Sequence, residues 1–211
     1  MLSTALAAPP ADSTAPAAPP PPPAAVVAAL PDDLRARMVG VTWREGCPVA
    51  LDDLSLVTLP HYDLDGAVQT GRLIVATAHA AGVVQVFDAL FQARFPVASM
   101  RPAHEFGGDD DRIMAANNTS AFNCRPVAGG TRYSDHSYGH ALDLNPLINP
   151  YVRGDRVEPP GGRAYLSRDP SVAGLIVAEG AVVSAFAAAG WKWGGFWKSA
   201  KDYQHFSVTG R

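Results

Sequence analysis

Apolar positions change period along the chain. Leu54, Leu56 and Thr58 alternate through 54–59, and a short apolar run at Leu73-Ile74-Val75 follows Gly71; both predict strands. Val83, Phe87, Leu90 and Phe91 recur at helical spacing and predict a helix over about 77–94, stopped by Pro96, with a strand resuming at 97–100. Residues 121–125 read as a strand ending on Arg125, and 142–144 as a strand presenting Asp143. A second helix is expected over 171–188, with Ile176, Val177, Val183 and Phe186 on its apolar side and Gly190 as its stop. A last strand, within 202–209, carries His205. Strands interleaved with two long helices, without a βαβ repeat, indicate an α+β fold: a small mixed or antiparallel sheet with flanking helices.

The remaining stretches are polar or punctuated. Residues 1–30 are Ala/Pro-rich, with eight prolines between Pro9 and Pro23, and predict a disordered tail or signal remnant followed by a polyproline-like spacer. Met1 to Ala8 resembles the end of a secretory signal without its basic start and is read as that or simply as a tail; export would suit an Ala/Pro spacer that holds a domain away from a cell surface. The folded domain is expected over 31–211, opening with a short helix from Pro31 to about Met38 whose first turn is acidic. Residues 107–112, with three aspartates and two glycines, read as a solvated loop, and 151–170, rich in Gly, Pro and Arg, as irregular.

The chain has 211 residues and a net charge of −3, which offers no basic footprint for nucleic acid. No apolar run reaches the roughly 18–20 residues of a membrane span. The two cysteines, Cys47 and Cys124, form no C-x-x-C pair; they are either two buried thiols or one disulfide.

Chemistry concentrates in two places. Ser134 to Asp143 holds His136 and Asp143 seven residues apart, and Asp202-Tyr203-Gln204-His205 adds a second imidazole and a spare carboxylate. Two nitrogens and one oxygen, with a fourth position left for water, describe a catalytic zinc site better than a structural one. Asp202 can face the same ion as His205 only if the step between them is a bend, because residues i and i+3 of a regular strand point to opposite sides. Ser134 beside His136 is read as a hydrogen-bonding residue, since nothing completes a triad. His61, His79, His104 and His140 lack partners at ligand spacing and are read as structural or exposed.

The pattern Ser134-x-His136-x-x-Gly139-x-Ala141-x-Asp143 resembles the signature of the zinc D-alanyl-D-alanine carboxypeptidases of the VanY type, which share a fold with peptidoglycan L-alanyl-D-glutamate endopeptidases. The likeness continues through 117–125, 145–151, Trp193-Gly194-Gly195 and 201–206, and spans roughly Gly46 to the C-terminus. It implies a hedgehog/D-Ala-D-Ala peptidase-like fold, one zinc ion on His136, Asp143 and His205, Asp202 as general base and acid, and Arg125 facing the developing oxyanion or a substrate carboxylate. The implied substrate is a peptidoglycan stem peptide cut at a bond involving a D-amino acid, by a secreted or wall-associated monomer. Arg153, Arg156, Arg163 and Arg168 are candidates for holding a substrate carboxylate. Phe196 departs from the pattern where relatives often carry Asp, and Ile113-Met114 where a Ser-Met step is common; both bear on substrate fit. The rival readings are a non-catalytic, metal-bearing wall-binding module of the same fold and a hedgehog-like signalling domain.

Overall fold

The computed structural model describes residues 24–127 and 129–210. In chain order they form β1 (Val26–Ala29), α1 (Asp32–Met38), β2 (Leu54–Tyr62), β3 (Val68–Ala76), α2 (Thr77–Gln92), β4 (Ser99–Met100), α3 (Asp110–Ala115), β5 (Asn118–Thr119), β6 (Ala141–Asp143), β7 (Tyr151–Arg153), β8 (Arg156–Glu158), α4 (Ala181–Ala188), β9 (Lys192–Trp193), β10 (Lys201–Asp202) and β11 (His205–Ser207). The class is α+β. The expected single sheet is instead divided into three antiparallel sheets, ordered β1-β2-β3, β10-β7-β8 and β6-β11-β9, with a parallel β4-β5 pair. Among the described residues no helix is long and apolar enough to cross a membrane.

The β2–β3 hairpin is buried on both faces. Val57 pairs with Leu73, and both join Leu59 and Val75 under α2, whose Val83, Phe87 and Leu90 complete the main core with Phe186 and Phe206. Leu56 pairs with Ile74 on the opposite face, where Leu54, Leu34, Met38, Phe122 and Cys124 form a second cluster. Each fully buried Leu, Val or Phe side chain contributes about 1.5–3 kcal/mol relative to exposure. Alternation at Leu54, Leu56 and Thr58 therefore marks the side toward the smaller cluster, while Val57 and Leu59 face the larger one.

Four expectations are corrected. Residues 1–23 lie outside the described residues, but the expected spacer does not run to residue 30: Val26–Ala29 pairs antiparallel with β2. The acidic loop contains the start of α3, with the Asp109 side chain accepting from the Arg112 N–H at 3.1 Å and Asp110 and Asp111 in the first turn. Three carboxylates there offset the unpaired amides and the positive end of the helix. Residues 121–125 form no strand, because their amides bond to three separate partners: Phe122 to Ile74, Asn123 to His136 and Cys124 to Thr42. The second helix begins only at Ala181; before it, Gly174 takes φ +81° and its carbonyl accepts from the Asn145 and Asn149 side-chain amides.

Cys47 and Cys124 form a disulfide with their Cα atoms 6.1 Å apart. It ties the segment after α1 to the residue preceding Arg125.

Candidate active site

The signature folds as a turn followed by a strand. Residues 135–138 make one short 3-10 turn, with the Ser134 side chain accepting from the His136 N–H at 3.4 Å. Gly139 ends the turn at φ +68°, and a Cβ there would lie 2.5 Å from the Ala76 nitrogen, so glycine is required both for the backbone angle and for the close approach to the end of β3. Ser134 is thus a capping residue. The chain then enters β6, which pairs with β11 in a register that places Asp143 directly opposite His205. Cross-strand partners share a face, and this single pairing joins the two halves of the motif across 62 positions of sequence.

The three predicted ligands converge. Asp143 Oδ1 lies 2.9 Å from His205 Nδ1, and Asp143 Oδ2 lies 3.3 Å from His136 Nε2. The ligand atoms of all three residues fall within 4.8 Å of one another, a group able to hold a metal ion. His136 Nδ1 sits 2.6 Å from the Ala121 carbonyl oxygen. An N–H donated there orients the ring and leaves Nε2 bare toward the site, the arrangement typical of a ligating histidine. Burial alone would raise the Asp143 carboxyl, but the two imidazoles override it and hold the group well below the usual carboxylate range. The donor set fits a divalent metal: two imidazole nitrogens and an ionised carboxylate.

Asp202 reaches the same place by a different route. It ends β10, which belongs to the sheet with β7, whereas His205 begins β11 in the sheet with β6. The intervening Tyr203 and Gln204 form a bend, so the strand geometry that would have turned Asp202 away does not apply. Gly194 provides its seat, since a Cβ there would lie 2.8 Å from Asp202 Cβ. Burial pushes the Asp202 carboxyl up to about 7, with His205 opposing and Asp143 reinforcing the rise. Its Oδ1 is buried without a hydrogen-bond partner among the described residues. A buried unpaired carboxylate oxygen is costly, and this one lies near enough to the triad for His205, Asp143 and His136 all to act on its charge.

These groups line an open cleft of about 540 Å³. Arg125 borders it and ion-pairs with Asp110 of α3, so the residue both faces the cleft and is held by the acidic segment. Ser137 fixes the Arg125 backbone, accepting from its N–H at 2.9 Å and donating to its carbonyl at 2.8 Å. Arg153 and Arg156 also line the cleft, but Arg163 and Arg168 do not. Arg163 donates to the Asp155 carbonyl. Arg168 donates to Ile148, Asn149 and Ile176 and stacks on Tyr203, with burial lowering its pKa to about 10. His61, His79, His104 and His140 lie outside the triad, and Trp197 lines the cleft with its ring 5.6 Å from that of His205. Phe196 is exposed and packs edge-on against Trp193. Residue-by-residue reading missed Tyr151, which the β10–β7 register sets opposite Asp202; only the pairing reveals it.

Residues 128–208 match the family model described as D-alanyl-D-alanine carboxypeptidase. The matched stretch holds His136, Asp143, Asp202 and His205 and covers less than half of the chain. Searches of curated proteins and of solved structures return no match.

Proposed function

We propose that the chain is a zinc peptidase that hydrolyses peptidoglycan stem peptides at a bond involving a D-amino acid, with removal of a terminal D-alanine as the reaction the family match favours. The observation that carries this reading is the meeting of His136, Asp143 and His205 beside the unpartnered carboxylate of Asp202. His136, Asp143 and His205 would hold the ion, which when bound supplies an acidified water and polarises the scissile carbonyl. Asp202 takes a proton from the attacking water and delivers it to the leaving amine, a task suited to a carboxyl raised toward neutrality. Arg125 offers fixed positive charge toward the oxygen on which negative charge develops. The Cys47–Cys124 disulfide supports work in an oxidising, extracytoplasmic compartment.

The test is direct. Purified protein is assayed on a stem pentapeptide by mass spectrometry, with metal content measured in parallel. Release of one D-alanine by the parent, and loss of both metal and cleavage in His136→Ala, is the expected result. Internal cleavage alone would reassign the reaction to an endopeptidase. Zinc binding with no cleavage of peptide or intact peptidoglycan would replace the enzyme with a wall-binding module.

A further inference from the structure

The sheet β10-β7-β8 turns one face to the cleft. Its register sets Asp202 opposite Tyr151, Tyr151 opposite Glu158, and Arg153 opposite Arg156. Side chains alternate along a strand, so Tyr151 and Arg153 point into the cleft while Val152 and the buried Val157 point away. The row holding the arginines is two residues from the row holding Asp202, about 7 Å at the usual strand rise.

Two like charges directly opposed across an antiparallel pair repel each other. Glu158 relieves only one of them, accepting from Arg156 Nε at 2.7 Å. Arg153 makes no ion pair or side-chain hydrogen bond among the described residues, although it borders the cleft. The neighbouring Arg163 donates, by contrast, to the Asp155 carbonyl, and Arg168 to two backbone carbonyls and the Asn149 side chain. Arg153 is thus an exposed guanidinium, unpaired among the described residues, at the edge of the cleft and open to an anion bound there.

We infer that Arg153, with Arg156 across from it, is a specificity subsite for a carboxylate of the substrate. The inference rests on the proposed peptidase reading and names the group within the stem peptide that the cleft selects. A planar guanidinium grips a carboxylate through two parallel hydrogen bonds, which gives direction as well as charge. A stem peptide offers such a group either at its C-terminus or on an acidic side chain.

Arg153→Gln is compared with the parent on three peptides: one with both carboxylates free, one amidated at the C-terminus and one amidated on the acidic side chain. On the free peptide the variant raises KM about tenfold or more, the value of a charge-assisted hydrogen bond, with a far smaller change in kcat. The penalty disappears on whichever amide lacks the recognised carboxylate, and that arm identifies its source. A penalty absent on the free peptide, or undiminished on both amides, overturns the subsite. Calorimetric binding of the same peptides to Asp202→Asn protein, with and without Arg153→Gln, separates the two readings. Loss of binding that depends on Arg153 in a parent that never cleaves would sink the peptidase and keep the subsite. Cleavage with an unchanged KM in Arg153→Gln would do the reverse.

Discussion

Asp202 and His136 show how little of a side chain's role lies in its own chemistry. Asp202 is a carboxylate with one buried, unpartnered oxygen and a raised pKa because Gly194 leaves room for it and a bend aims it inward. Asp202→Asn keeps the size and removes the proton acceptor. It should lower kcat by about 10²–10⁴ while metal content stays at the parent level; an active Asn variant would move the base elsewhere. Gly194→Ala tests the seat without touching a functional group. Its Cβ would collide with Asp202, costing about 1–3 kcal/mol of stability by overpacking, and kcat should fall with metal content retained. A Gly194→Ala protein with parental kcat would show that Asp202 does not need this placement. At this scale the convergent group of His136, Asp143 and His205 was legible in the sequence, because an imidazole and a carboxylate in a glycine-bearing signature admit few readings. The position of Asp202 was not legible, since i to i+3 means opposite faces in a strand and one cleft across a bend.

Among the elements, the β2–β3 hairpin contributes side chains to both of the larger core clusters. It is enclosed by α2 on one face and by the Leu34–Met38–Phe122 cluster on the other. His61 is buried within β2, and burial is the largest cause lowering its pKa; burial likewise lowers His79 and His104. Neutral imidazole is thus favoured in the folded state. As pH falls below the unfolded value near 6.5, the unfolded chain binds protons first, and stability is lost down through the folded pKa values. Between pH 7.5 and 5.5 this loss opposes the stability gained as Asp202, held up to about 7, takes its proton, so the melting temperature of His61→Gln should rise relative to the parent's as the pH falls. An identical pH slope in the variant would remove His61 from the account. The helical period identified α2, but α4 proved shorter than its apolar spacing suggested. Ile176 is buried by hydrogen-bonded turns around Asn149, and periodicity cannot distinguish that from a helix turn.

For the molecule as a whole, the Cys47–Cys124 disulfide closes a span of 77 residues and anchors the backbone next to Arg125. Reduction should cost about 2–4 kcal/mol, read as a lower urea midpoint with reductant than without. An unchanged midpoint would mean that the cross-link adds nothing to the packing of Cys124 in the second core cluster. The cleft itself exists only at this scale. Arg125, α3, the β7–β8 hairpin, β6 and β11 all contribute residues to its lining.

Local sequence alone determined the candidate metal-binding residue types, the main amphipathic helix, the hairpin strands and the α+β class, because each depends on residue type and short-range period. Tertiary structure alone decided the division into separate sheets, the disulfide, the helix within the acidic segment, the address of each arginine and the convergence of Asp202 with the triad. Those outcomes depend on which backbone amides find which carbonyls across long separations, and cross-strand register carries no signature in the order of residues along either strand.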